Sequence, residues 1–278
     1  MSATDEHHVP GILLGCQGYN FPQWKSSFYP KRLSSGQFLS YYSRIFPYLE
    51  LDSTFFVSPR PETVRAWHRQ TPANFRFSLR MPADISHRLA FSDCTGELLQ
   101  FLEAATLLED KLAPVVIETP PEMDSTHMPR LVAFFDSLPG DFRFAMDFRH
   151  PTWFCSRTYD MLRTFGIALC LVDHPLMDRE LQLTAPFSVI RLCGDETLPL
   201  SVPVAREREE DLLYFRNQAR ALQRQGDVFL SVSNHWNGFA PASLARLARM
   251  LDQPLAAFGE AQQDLFPLLA FDAPSVRS

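Results

Sequence analysis

FRFAMDFRHPTWF, residues 142–154, alternates with a period of two. Phe142, Phe144, Met146 and Phe148 fall on one side, and Arg143, Ala145, Asp147 and Arg149 on the other. That period belongs to a β-strand. His150-Pro151 then stops it, because proline has no N–H to donate to a ladder. One face needs an apolar cover. The opposite face carries an acid and a base two residues apart at the strand's last positions. A strand of a closed barrel satisfies both demands: helices cover one face, and the other fills the interior and reaches the barrel mouth.

The remainder of the chain repeats this unit. Strands are expected in 11–18, 47–54, 75–82, 113–120, 167–175, 187–194 and 227–235, which with the opening stretch makes eight. Helical spacing appears near 36–46 and in 61–70, 96–112, 127–138, 157–165, 206–225 and 240–251. The segment between strands six and seven is too short and broken for a regular helix. Strands alternating with helices give a parallel sheet, and eight units in this length predict a TIM-type (β/α)8 barrel with an incomplete helical layer after strand six. No G-x-G-x-x-G follows the first strand, which argues against an open dinucleotide-binding sheet. The barrel is expected over 11–252, between a flexible stretch at 1–10 and a tail at 253–278.

Composition narrows the function classes. The 278 residues are 46% hydrophobic and 21% charged, as in a globular protein. A net charge of −6 supplies no bulk attraction to nucleic acid or to an anionic membrane. No apolar run approaches the ~20 residues that span a bilayer, and MSATDEHHVP has no secretory pattern. Five scattered cysteines without a C-x-x-C pair read as reduced thiols. The expected location is cytoplasmic.

Strand parity collects the ionisable residues. Inward positions near the strand ends are Glu50 and Asp52, Arg80, Glu118, Asp147 and Arg149, Asp173, and Arg191 and Cys193. Ser233, Asn234 and His235 close the eighth strand. Buried charges are costly unless paired, and barrel enzymes keep their chemistry at this end.

Several stretches resemble, in order, the motifs of the YecE-like family, also called domain of unknown function 72. They are GCQGYNFPQWKSSFYP (15–30), ELDSTFF (50–56), FRFSLRMPADISH (75–87), LAPVVIETPP (112–121), DFRHPTWF (147–154), VIRLCG (189–194) and SNHWNGFAP (233–241). The resemblance implies a TIM-type barrel and a site, not a reaction. The chain departs from the usual pattern at Asp52 (usually Asn), Phe56 (Tyr), Arg80 (Lys), Glu118 (Gln), Asp147 (Glu), Cys193 (His) and Ser233 (Asn). Asp52 and Glu118 add acidity, and Cys193 removes an imidazole.

Three readings fit the mouth. Asp52, Glu118, Asp147 and Asp173 are oxygen donors suited to Mg²⁺ or Mn²⁺, and such an ion would activate water or polarise a phosphoryl oxygen. Arg80, Arg149 and Arg191 are forks suited to phosphate or carboxylate, with Asn234 beside them. The same acids and arginines also suit a salt-bridge network tying the strands together. His87 and His150, just beyond strand ends, are candidate acid/base groups alongside Asp52, Glu118 and Asp147. Cys193, with no sequence-adjacent base, reads as a buried thiol. Trp24, Tyr29 and Trp153 lie in loops after strands one and five, where they either stack on a ligand or pack as a hydrophobic lid. Neither G-x-S-x-G nor a P-loop is present.

Outside the barrel, Gln262-Gln263-Asp264-Leu265-Phe266 resembles the peptide by which bacterial proteins dock on the DNA sliding clamp, with Gln262, Asp264, Leu265 and Phe266 matching and Gln263 departing. Two function classes follow. One is an enzyme acting on a small anionic or phosphorylated ligand, or on nucleic acid, by metal-assisted phosphoester hydrolysis. The other is a non-catalytic adaptor recruited to the clamp.

Overall fold

The structure is a computed structural model and describes residues 11–195, 197, 206–253 and 255. Residues 1–10 and the clamp-like stretch 262–266 lie outside them. Eight parallel strands form one sheet: β1 (Ile12–Gln17), β2 (Tyr48–Leu51), β3 (Arg76–Leu79), β4 (Val115–Glu118), β5 (Phe144–Asp147), β6 (Ala168–Asp173), β7 (Phe187–Leu192) and β8 (Asp227–Val232). Their order is β3-β2-β1-β8-β7-β6-β5-β4. The ring closes between β3 and β4 through isolated bridges, Phe77 with Leu112 and Arg80 with Val116. The backbone N–H groups of Ala113 and Met81 donate there to Phe77 O (2.7 Å) and Val116 O (2.8 Å). The expected TIM-type barrel is the fold observed.

Helices α1 (Phe38–Tyr42), α2 (Ser53–Phe56), α3 (Pro61–Gln70), α4 (Thr95–Thr106), α5 (Met128–Asp136), α6 (Ser156–Phe165), α7 (Glu209–Gln223) and α8 (Ala240–Met250) accompany the strands. Pro61 sits in the first turn of α3, where its missing N–H costs nothing. Gly166 ends α6 in the left-handed conformation, the usual helix stop. The one-turn α2 and a π-turn at Asp84–Arg88 have no regular apolar period and are not foreshadowed by the sequence.

The segment after β6 lacks a helix, as expected. Extended chain lies against β6 in its place. The hydroxyl of Thr184 donates to Ile167 O (2.7 Å) and accepts from Leu169 N (2.8 Å).

Parity divides the core in two. Phe144, Met146 and Phe148 pack under the helices with Leu49, Leu51, Phe77 and Ile117. Tyr48, Val116, Ala145, Ala168, Cys170, Val189 and Phe229 fill the barrel interior. Gly15 lets β1 approach β2, since a Cβ there would stand 2.1 Å from Tyr48 O. No helix among the described residues is long and apolar enough to cross a membrane.

Candidate active site at the barrel mouth

Above the interior core, the inward residues change from apolar to ionisable. Arg191 of β7 is buried and makes a two-point contact with Glu50 of β2: Nη2–Oε1 is 2.6 Å, and Nε lies 3.1 and 3.2 Å from the two oxygens. Ser231 Oγ donates to the same carboxylate (2.8 Å), and Gln17 Nε2 donates to Ser231 Oγ (3.1 Å). Burial alone would raise the Glu50 pKa; Arg191 outweighs it and holds it below the ordinary value. Arg191 Nη1 also donates to Asp147.

Glu118 joins the strands above this pair. Its Oε2 accepts from Arg80 Nη2 (2.7 Å), Arg149 Nη2 (2.7 Å) and, at longer range, Arg191 Nη1 (3.5 Å). Burial would push the carboxyl up, but Arg149, Arg80 and Arg191 hold it down to about 2. Arg149 Nη2 also donates to Asp147 Oδ2 (2.8 Å). Asp52 differs in kind. It meets Arg80 only at 3.5 Å, and its side chain stays 32% exposed to the mouth. Burial pushes its carboxyl up to about 6 against the pull of Arg80, with Glu50 and Glu118 adding to the rise.

These groups open into a cavity of about 490 Å³. Asp52, Arg80, Glu118, Arg149 and Arg191 line one part of it, Gln17, Cys193, Ser233, Asn234 and His235 another, and Phe21, Phe55 and Phe56 form an apolar wall. Gly194 shapes the rim: its φ is +73°, and a Cβ would stand 2.2 Å from Trp236 Cα and 2.3 Å from His235 O. Several buried polar atoms here have no protein partner: Arg80 Nε, Arg149 Nε, Asp147 Oδ1 and Asn234 Nδ2. Burial raises the Cys193 pKa although Arg191 and Arg149 oppose it. A thiol raised in this way is a poor nucleophile, although Cys193 is half-buried rather than fully buried.

The structure brings Asp52, Glu118, Asp147, Arg80, Arg149, Arg191 and Asn234 together, and separates the other expected residues. Asp173 ends β6 at the same rim, but its side chain does not line the cavity. It has the parity of Leu169 and Leu171, which pack outward, while Ala168, Cys170 and Val172 face inward. Its carboxylate instead takes Arg179 (2.8 Å), Arg208 (2.7 Å) and Trp236 Nε1 (2.5 Å). Trp24, Tyr29 and Trp153 are buried core residues rather than ligand platforms. Tyr29 stacks on Phe38 (4.0 Å). Trp153 stacks on Phe148 (4.6 Å) and donates to Met123 O (2.7 Å). Hydrophobic packing outcompetes exposure for rings of this size.

His150 does not line the cavity. Its Nδ1 accepts from Thr152 N (3.4 Å) and starts the turn Pro151–Trp153. His87 stands behind Phe55, edge-on at 5.1 Å, with Nδ1 2.8 Å from Ser86 Oγ; burial lowers its pKa despite Glu118. Nor do Asp52, Glu118, Asp147 and Asp173 form a metal cage. The one set of such ligand atoms that converges among the described residues is His68, Glu109 and Asp110. That set joins the end of α3 to the turn before β4, at the opposite end of the barrel. At the mouth, guanidinium groups stand between the acids.

Comparison with known proteins agrees with this architecture. The family model described as "Protein of unknown function DUF72" matches residues 13–265. The chain belongs to the DUF72 family. UPF0759 protein YecE of Escherichia coli K12 is 31% identical over 158 residues, 56% of this chain. That alignment spans 57% of YecE, a little over half its length. UPF0759 protein YunF of Bacillus subtilis is 23% identical over 285 residues, covering 92% of this chain and all of YunF. A DUF72 family crystal structure from Thermotoga maritima superposes with a TM-score of 0.76 at 24% identity, covering 87% of this chain and 99% of that one. A second, from Enterococcus faecalis, gives 0.71 at 17% identity, with 88% and 99% covered. These likenesses establish the DUF72 barrel.

Among the mouth residues that escaped the sequence reading are Gln17 and Ser231. Parity could have found both, since Gln17 follows Leu13 and Gly15 on the inner face of β1, and Ser231 follows Phe229 on that of β8.

Proposed function

We propose that this chain is an enzyme acting on a small phosphate ester at the barrel mouth. The observation that carries the reading is the pair Arg80 and Arg149. Both line one cavity, and each keeps a buried Nε–H without a protein acceptor. Guanidinium groups favour phosphoryl oxygens, so a ligand phosphate would take the hydrogen bonds the protein leaves unmade. Asp52 supplies the proton chemistry. With its carboxyl near 6, it exchanges a proton close to neutral pH. Water attacks phosphorus, the ester P–O bond breaks, and Asp52 gives its proton to the leaving oxygen. One proton of the attacking water stays on the released phosphate and the other returns to Asp52. Because arginines separate the acids, these steps are assigned to the chain's own residues.

The test is isothermal titration of inorganic phosphate and glycerol 3-phosphate, with phosphate release from a panel of monoesters as the second readout. Binding that weakens in Arg149→Gln, with turnover lost in Asp52→Asn, is the expected result. Absence of phosphate or ester binding to the intact chain would overturn the reading.

A second reading rests on Gln262–Phe266. Leu265 and Phe266 would enter an apolar groove of the bacterial sliding clamp while Gln262 hydrogen-bonds, so docking would replace electrostatic recruitment in an acidic protein. Leu265→Ala/Phe266→Ala should abolish clamp binding, and Asp147→Ala should leave it intact; the reverse pattern removes this reading.

A further inference from the structure

Resting on the proposed phosphate site, we infer that the ester's other half is a planar ring, held against Phe56. The evidence is the contrast between the ion-paired lining of the cavity and its one widely exposed ring. Around Arg80 and Arg149 every carboxylate and guanidinium is tied to a neighbour. On the Arg80 side of the mouth, Phe56 lines the same cavity and is 76% exposed.

A large exposed ring on a rigid support is not a loose surface residue. Helix α2 is pinned at Thr54, whose hydroxyl lies 2.8 Å from both Leu51 O and Arg80 O, sharing its one proton between them, and accepts from Arg80 N (2.9 Å). The neighbouring Phe55 is already engaged, with the Arg80 guanidinium over its face at 4.1 Å and His87 at its edge. Phe56 meets Phe55 at 86° with centroids 5.3 Å apart, which fixes its plane edge-to-face and leaves ring surface in water. Thr54 thus ties the ring and the phosphate-binding arginine to one backbone junction.

A second, independent feature supports a ligand that extends beyond its phosphate. Asn234, 2% exposed, lines the cavity from the turn that follows β8. Its Oδ1 accepts from Ala240 N (3.1 Å), while its Nδ2 has no protein partner. That buried donor is costly unless a ligand acceptor meets it. It stands two strands around the ring from β2 and three from β3, so one phosphate group on Arg80 and Arg149 does not satisfy it. A ligand that carries a further acceptor beyond its phosphate does. A protein partner fits less well: the exposed apolar surface here is Phe56 and Val57, too small a patch for a protein interface.

The experiment compares two esters of one phosphate on the full chain by isothermal titration: phenyl phosphate, with a ring, and glycerol 3-phosphate, without. Phenyl phosphate should bind about tenfold more tightly or better, the scale of one aromatic stack. Phe56→Ala should erase that advantage while leaving glycerol 3-phosphate affinity unchanged, and Phe56→Tyr should preserve it. Because Phe56 is so exposed, its truncation does not threaten folding. Equal affinities for the two esters, or equal weakening of both by Phe56→Ala, would overturn the ring assignment and leave the phosphate site standing. Binding of neither ester would instead overturn the phosphate site itself. Loss of self-association in Phe56→Ala with ester affinities unchanged would assign the ring to a protein contact and overturn the inference.

Discussion

Glu50 and Arg191 lie 141 residues apart in sequence and meet as a buried, two-point ion pair across the barrel interior. Removing one partner strands a charge where water cannot reach it. Arg191→Met or Glu50→Gln should each cost about 3–5 kcal/mol. For a chain of this size that corresponds to a melting temperature lower by roughly 6–20 °C. The double replacement Glu50→Leu/Arg191→Met should recover much of that loss, because the uncompensated charge disappears with its partner. Circular dichroism melts of the three variants check this.

Asp52 and Glu118 set opposite pH slopes. Glu118, held at about 2 against an ordinary 4.5, gives stability that is complete above 4.5 and drains as pH falls towards 2. Asp52, raised to about 6 from 3.8, keeps a proton that the unfolded chain has already released, so stability falls as pH rises from about 4 to about 6. Asp52→Asn should flatten the upper slope and leave the acid slope in place. Urea midpoints measured between about pH 3 and pH 7 read both.

Arg149 is the arginine most available to a ligand without structural loss. Its two carboxylate partners each retain another guanidinium: Glu118 keeps Arg80, and Asp147 keeps Arg191. Arg149→Gln should therefore lower phosphate affinity by about 10- to 100-fold, the scale of a lost charge-assisted hydrogen bond, with a smaller fall in melting temperature than Arg191→Met. Titration and melting of the same samples separate the two effects.

Trp153 should behave as core. Trp153→Ala removes a fully buried ring and should cost about 3–5 kcal/mol. Trp153→Phe keeps the stack on Phe148 but leaves Met123 O without its donor, for a smaller loss. If Trp153 packs rather than binds, ester affinities measured on folded Trp153→Phe should be unchanged.

The barrel was legible because most strands have one face that is unmistakably apolar. In β5 the alternation of Phe144 and Met146 with Ala145 and Asp147 assigns the interior before any coordinates. β6 is apolar on both faces, so hydropathy gives it no parity; the size difference between Ala168 or Cys170 inside and Leu169 or Leu171 outside was the remaining signal, and Asp173 was misplaced for want of it. The tryptophans failed differently. Loop residues carry no period, so nothing local tells Trp24 and Trp153, which are buried, from Phe56, which is not. Which oxygen each arginine chooses was also beyond the sequence, because those choices join strands far apart in the chain.

The bridges between β3 and β4 are the thinnest hydrogen-bonded join in the cylinder, and Arg80 and Glu118 stand on its two banks. Thermal breathing of the barrel should begin along this join, with the amides of Met81 and Ala113 the first of the strand-edge protons to exchange. A phosphate lodged between Arg80 and Arg149 would span the gap like a clasp. Ligand occupancy and the rigidity of the whole wall would thereby be tied together, and slower exchange at those two amides would report a filled mouth from outside it.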